Sequence, residues 1–228
     1  MSDAPDPVLS SVPLFPLPGV VLFPRAVLPL HIFEDRYRAM TRDALVGDRV
    51  IAMALLRPGW EKSYYARPQI EPVVCAGRIL SHEKLPDGKY NFLLQGIIRC
   101  RVVEELKRDA EPYRVARLEK LVETPALEID LEECRRQLTE VFDDSPLRLR
   151  GTGKQFRQIV RSVLPTADVA DLAAFTFLED VPLKQSLLAE ADVRRRVTRV
   201  VEALQSLAAS ASPPEQMHVS PPSDPHLN

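Results

Sequence analysis

Glycine and histidine are scarce in this chain of 228 residues, which contains 21 prolines but only 8 glycines and 4 histidines. Average usage is roughly 7% glycine and 5% proline, so glycine is depleted and proline enriched. Glycine-rich loops let the backbone approach and cradle phosphate groups in nucleotide-binding proteins. The composition therefore argues against a fold that is built on such loops.

The chain also lacks a long apolar run and an excess of charge of either sign. Its longest uninterrupted apolar run is Val50–Leu56, whereas a helix that crosses a bilayer needs about 20 apolar residues. The N-terminal sequence is acidic and rich in proline, unlike a secretory signal. With 30 basic and 32 acidic residues, binding of a polyanion through bulk charge is disfavoured. We expect a cytoplasmic protein that binds neither membrane nor nucleic acid.

Cysteine is the third scarce residue. Cys75, Cys100 and Cys134 are far apart and form no C-x-x-C pair, which is typical of reduced thiols and not of a disulfide or zinc framework. His31 lies beside an acidic segment, but a metal site there would need two or three further ligands from elsewhere. We therefore predict no metal and no cofactor.

Sequence patterns for catalysis are missing as well. The segment Gly151–Lys154 ends in Gly-Lys, but a P-loop would need glycine at Arg148 and a hydroxyl residue at Gln155. We interpret this segment as a loop that enters a helix. No G-x-S-x-G nucleophile motif occurs. We predict that the chain has no catalytic residue and is not an enzyme.

Hydrophobic periodicity divides the chain into four parts. Residues 1–10 and 210–228 are rich in proline and lack apolar periodicity, which predicts disordered tails. Residues 11–124 contain short apolar or alternating runs, which predict a β-rich domain. Residues 125–209 contain apolar residues at spacings of three and four, which predict a set of packed helices. The expected fold class is α+β.

Within the β-rich part, four local signals stand out. Residues 34–46 have helical spacing and an acidic start, which predicts one helix among the strands. Leu85-Pro-Asp-Gly88 predicts a hairpin turn, because proline presets φ and glycine tolerates positive φ. The apolar run Val20–Phe23 predicts a further short strand. Five prolines cluster in this opening region and predict edge positions or irregular pairing: Pro13, Pro16, Pro18, Pro24 and Pro29.

One polar segment, residues 57–68, is unusual because it carries the single tryptophan of the chain. Its candidate binding residues are Arg57, Trp60, Tyr64 and Tyr65. Tryptophan, tyrosine and arginine are enriched at interface hot spots. Two interpretations stay open, namely packing onto the β domain and a contact surface. By contrast, the arginine run at 194–196 lies between apolar helical positions and predicts a largely solvated face.

Several separated segments, in the same order, resemble the N-terminal substrate-binding domain of Lon proteases, and most closely the short bacterial proteins that consist of this domain alone. They are Val12–Pro24, Leu28–Tyr37, Val74–Leu80, Leu85–Tyr90, Leu94–Arg101, Phe177–Leu188 and Val193–Val197. The resemblance extends over about residues 11–209. It implies a PUA-like pseudo-barrel followed by a helical bundle. It also implies a role in substrate capture without any catalytic residue, because ATP hydrolysis and proteolysis belong to other domains of Lon.

The leading hypothesis is a non-catalytic, ATP-independent module that binds polypeptide segments or a protein partner, as an adaptor or chaperone-like factor would. Apolar and aromatic burial around Trp60, Tyr64 and Tyr65, next to a groove shaped by the helices, is the expected mechanism. Two alternatives remain. An RNA-binding PUA-like protein would lose affinity steeply with salt, and an uncharacterised hydrolase would show activity that one substitution removes.

Overall fold

The computed structural model describes residues 9–64, 66–107, 111–144 and 152–210. Its strands are β1 Leu9–Leu17, β2 Val27–Ile32, β3 Val50–Leu55, β4 Val73–Lys84, β5 Tyr90–Leu106 and β6 Arg114–Lys120. Its helices are α1 Asp35–Val46, α2 Glu128–Asp144, α3 Gly153–Val160, α4 Thr166–Phe177, α5 Val181–Ala189 and α6 Val193–Ser210, with a 3-10 helix at Trp60–Ser63. Most of both predicted tails lies outside the described residues, although β1 already begins at Leu9, inside the predicted N-terminal tail.

Five of the strands pair in a closed circuit. β1 pairs in parallel with β3, and the antiparallel pairs β3–β4, β4–β5, β5–β6 and β6–β1 complete the ring. β2 adds to the first half of β5. The hairpin between β4 and β5 turns at the predicted site, where Gly88 has φ +80°. A mixed sheet joined to helices confirms the α+β class.

The prolines of β1 occupy places where a ladder hydrogen bond is not required. Pro13 lies in the half of β1 that pairs with β6, whereas Pro16 lies in the half that pairs with β3. Each proline therefore has a paired strand on one side only, as the loss of the proline N–H demands. Pro29 lies in β2, whose described pairing is with β5 alone. The irregular pairing expected of this region is present.

The prediction of a strand at Val20–Phe23 is wrong. Val21, Leu22 and Phe23 are buried and Val20 is half-buried, but the segment is irregular. The chain directly after it is held by backbone hydrogen bonds to a glycine of β5. The N–H of Arg25 donates to the Gly96 carbonyl at 2.8 Å, and the Gly96 N–H donates to Ala26 at 2.9 Å. A Cβ atom at position 96 would lie 2.0 Å from the Phe23 carbonyl oxygen. This close approach of two backbones requires glycine.

Two apolar clusters lie on opposite faces of the sheet. The first contains small residues from one face of the circuit, such as Ala52, Ala76 and Ala116. The second contains the other face together with α1 and helices α2–α6. In its helical part, the rings of Phe142, Phe156 and Phe177 have centroids 4.7–5.1 Å apart. The small residues suit the inside of a narrow ring, where little volume is available.

A buried ionic network joins the sheet to the helices. Arg99 of β5 lies 2.6 Å from Asp171 of α4, and Arg196 of α6 lies 3.3 Å from the same carboxylate. Arg196 also lies 2.7 Å from Glu123. The exposed face predicted for the arginine run is therefore wrong for Arg196, which is 2% exposed. The helix turns this one arginine inward, towards a carboxylate that the sequence pattern does not reveal.

Among the described residues, no helix is long and apolar enough to cross a membrane.

Candidate functional site

A groove of about 530 Å³ lies between the sheet and α5. Most of the residues that line it are apolar, and they come from the end of β1, the end of β3, the segment before β4, and α5: Pro18, Gly19, Leu55, Leu56, Pro58, Trp60, Glu71, Pro72, Val73, Val181, Pro182, Gln185, Ser186 and Ala189. Its volume is within the range of small-ligand and side-chain pockets. This groove is the candidate functional site.

Trp60 reaches the groove because of the turn that precedes it. Gly59 has φ +88°, a left-handed conformation that favours glycine, and the 3-10 helix begins directly after it. Trp60 is half-buried, and the Tyr64 ring meets it edge-on with the ring centroids 5.5 Å apart. The single tryptophan of the chain therefore packs against Tyr64 and also lines the groove.

Tyr64 itself is packed against the β half of the protein. Its hydroxyl donates to Glu34 Oε1 at 2.6 Å, and the Arg36 guanidinium lies 4.7 Å from its ring centroid. Burial and the Glu34 carboxylate raise the pKa of Tyr64, so that the phenol remains a neutral donor. Packing onto the β domain thus describes Tyr64, whereas a contact surface at Trp60 stays a prediction.

Of the remaining predicted residues, Arg57 lies beside the groove and Tyr65 lies outside the described residues. The Arg57 guanidinium is 3.4 Å from the carboxylate of Glu71, which does line the groove. The Arg57 N–H donates to the Gln69 carbonyl at 2.9 Å. Arg57 therefore neutralises the rim of the groove and holds its loop in place.

Sequence reasoning did not find the α5 side of the groove. Asp180 accepts a hydrogen bond from the Leu183 N–H at 2.8 Å and caps α5, with Pro182 in the first turn. Gln185 of α5 donates to the Val73 carbonyl at 2.9 Å, which fixes the helix against β4. The sequence pattern predicts a short helical stretch after Pro182, at Leu183–Glu190, and α5 lies there. Only the fold places α5 opposite Trp60.

Few ionisable side chains line the groove. Glu71 is the one carboxylate among its lining residues. Burial raises the pKa of Cys75 to about 12 and that of Cys100 to about 11, so both are protonated thiols. The His31 ring is hydrogen-bonded to the Asn91 side chain, with Nδ1 and Oδ1 2.7 Å apart. Within the part of the chain that the structure describes, no three His, Cys, Asp or Glu residues are grouped as a metal site.

Comparison with known sequences shows one family. The family model described as ATP-dependent protease La (LON) substrate-binding domain matches residues 11–206. The chain is 25% identical over 199 residues to Lon protease of Desulfosudis oleivorans, with 87% of this chain and 24% of that protein covered. It is 30% identical over 203 residues to Lon protease 2 of Myxococcus xanthus, with 85% and 23% covered. The chain thus spans about a quarter of the length of these relatives.

Solved structures agree with the sequence comparison. The N-terminal domain of the Mycobacterium avium complex Lon protease covers 86% of this chain with a TM-score of 0.68 at 16% identity, and 98% of that domain is matched. The Lon N-terminal domain protein from Xanthomonas campestris covers 85% with a TM-score of 0.56 at 25% identity, and 98% of it is matched. The chain belongs to the Lon substrate-binding domain family.

Proposed function

We propose that this chain binds polypeptide segments with exposed apolar residues, and that the groove lined by Trp60 receives one of their side chains. The observation that carries the proposal is the position of the single tryptophan in an apolar groove between sheet and helices. Membership of a substrate-binding family supports it.

The energetics suit transient capture. Complete burial of one leucine or phenylalanine side chain contributes about 1.5–3 kcal/mol, and part of this is offset by the loss of motion on binding. One groove alone therefore gives weak and reversible binding. We propose that the module works without ATP, as an adaptor or chaperone-like factor in the cytoplasm. We also propose that the ring of strands is a PUA-like pseudo-barrel and that the helices after it form a bundle.

Trp60 provides a direct test, because the chain contains one tryptophan. A tryptophan-free peptide that carries leucine or phenylalanine is titrated into the protein while tryptophan emission is followed. We expect a saturable change in the emission maximum. Addition of an unfolded polypeptide should reverse this change, because it competes with the peptide for the groove. An emission that does not respond to apolar peptides or to unfolded polypeptides would overturn the proposal.

A pair of charge insertions assigns the binding to the groove. Ala189 is exposed and lines the groove, so Ala189→Arg places a cation there without removal of a packed side chain. Val163 is fully exposed between α3 and α4 and serves for the matched control, Val163→Arg. We expect at least a tenfold loss of affinity in the first variant only. Equal affinities in the two variants would exclude the groove.

A further inference from the structure

A second cavity, of about 340 Å³, lies between the start of α1, the end of the segment at residues 57–68 and the start of β6. The residues that line it include three arginines and two tyrosines but no carboxylate: Pro16, Arg36, Tyr37, Ala66, Arg67, Pro112, Tyr113 and Arg114. We call it the arginine cavity. The two phenols already donate elsewhere, Tyr37 to the Pro16 carbonyl and Tyr113 to Asp43. The guanidinium groups are the hydrogen-bond donors that suit this lining to an anion.

The charges around the arginine cavity are not fully balanced by its neighbours. Arg36 lies 3.0 Å from Glu34, and Arg114 makes two hydrogen bonds of 2.8 and 2.5 Å to Glu105. In the described ranges, no carboxylate forms an ion pair with Arg67, which is exposed at the mouth. A net attraction for an anion remains.

The arginine cavity adjoins the groove of the proposed function. Pro16 lines the cavity and Pro18 lines the groove, two residues apart at the end of β1. Tyr64 lies between Trp60 and Arg36, at centroid distances of 5.5 and 4.7 Å. The Arg36 guanidinium is therefore no more than about 10 Å from the Trp60 ring, which is the length of about three extended residues.

We propose that the two cavities act together and select acidic-apolar segments, in which an aspartate or glutamate lies about three residues from the apolar residue held beside Trp60. The carboxylate would enter the arginine cavity beside Arg36, within the distance from Trp60 given above, where Arg67 at the mouth supplies a second guanidinium. This inference rests on the proposed function, and it names the class of polypeptide that the site prefers.

The test uses two labelled heptapeptides with amidated C-termini that differ only in Asp or Asn three residues from a phenylalanine. Fluorescence anisotropy is measured with the wild-type chain, Arg67→Gln, Arg67→Lys and Arg101→Gln. Arg101 is an exposed arginine of β5 outside the arginine cavity, which makes it the matched control. Exposed or half-exposed ion pairs contribute modestly, so we expect the wild type to prefer the Asp peptide about three- to fivefold.

Four results are decisive. Support requires that Arg67→Gln removes the preference, that Arg67→Lys keeps most of it, and that Arg101→Gln keeps all of it. Equal binding of both peptides to the wild type, or an equal loss in Arg101→Gln, overturns the arginine cavity but leaves the apolar groove intact. The Asn peptide is also measured with a free C-terminal carboxylate. If it then binds as tightly as the Asp peptide, the cavity selects chain ends, and selection of an acidic side chain is overturned. If neither peptide binds the wild-type chain, the proposed function itself is overturned.

Discussion

The sheet and the helices meet in two places that differ in character. On one side, the groove at Trp60 is apolar and open, and α5 is held to β4 by the hydrogen bond from Gln185. On the other side, a cavity of about 420 Å³ contains Arg99, Asp171 and Arg196, which form buried ion pairs. We call these the apolar side and the ionic side. The ionic side joins β5 to α4 and α6 through buried charges, whereas the apolar side contains the groove of the proposed function.

The buried ion pairs determine how three elements pack together. A buried ion pair often adds little net stability compared with apolar residues, yet loss of one partner is costly because the other charge remains buried. Asp171 faces two guanidiniums, from β5 and from α6. One carboxylate thus specifies the position of three elements.

The largest effect is expected from Asp171→Ala, which breaks the ionic side. Two arginines would remain buried without this acceptor, so the free energy of unfolding should fall by about 3–5 kcal/mol. Chemical denaturation followed by circular dichroism measures the change. The control is Arg117→Ala, which removes an exposed pair with Glu104 and should change stability by less than about 1 kcal/mol. Similar losses in both variants would contradict the role of the ionic side.

The second effect concerns Gly96, which also lines the cavity of the ionic side. Gly96→Ala places a Cβ atom against the Phe23 carbonyl oxygen, a backbone atom that cannot rotate away. Overpacking of this kind costs about 1–3 kcal/mol. For comparison, Gly47→Ala meets no atom closer than 3.7 Å and should be nearly neutral. Thermal unfolding compares the two, and an unchanged midpoint for Gly96→Ala would disprove the close approach.

On the apolar side, Ala189→Arg should affect binding without a matching loss of stability. Exposed substitutions usually change the free energy of unfolding by no more than about 0.5 kcal/mol, whereas a tenfold loss of affinity corresponds to about 1.4 kcal/mol. Denaturation and peptide titration on the same variant separate the two. If stability fell as much as affinity, the apolar side would be structural in the same sense as the ionic side.

The smallest effect is a pH dependence at Asp168, which lies 2.5 Å from Arg25 beside the ionic side. Burial raises the pKa of Asp168 in the folded protein, although Arg25 acts in the opposite direction. The folded state therefore holds this proton more tightly than the unfolded state. The resulting stabilisation is present below about pH 4, the unfolded pKa, and is lost as the pH rises through the folded pKa.

Asp168→Asn removes this dependence. The difference in unfolding free energy, variant minus wild type, should therefore rise with pH above about 4 and then level off. Denaturant titrations at several pH values measure it. A difference that falls with pH would show that attraction by Arg25 outweighs burial.

Local patterns predicted the secondary structure well where a periodic signal coincided with a turn or cap. Residues 34–46 match α1, and the Pro-Asp-Gly turn joins β4 to β5. The pattern failed at Val20–Phe23, because burial there comes from packing onto Gly96 and not from strand pairing. It also failed at Arg196, where an arginine at a helical position next to apolar residues turns inward to Asp171. In both places, the deciding partner is more than 20 residues away in the sequence.

The candidate site shows the same division. An aromatic cluster in a polar loop sufficed to single out Trp60 and Tyr64, since such residues are enriched at contact surfaces. It did not distinguish the one that lines the groove from the one that supports it. That distinction depends on Glu34 and Arg36, which hold Tyr64 from the start of α1. Nothing in the loop itself encodes this contact.

The sequence by itself determined the α+β class and the resemblance to the Lon substrate-binding domain. These follow from local periodicity and from motifs read in order along the chain. Only the tertiary structure decided that five strands close into a ring, that α5 faces Trp60, and that three arginines from separate segments line one cavity. Such features depend on contacts between distant segments, and a linear pattern carries no information on which distant residues will meet.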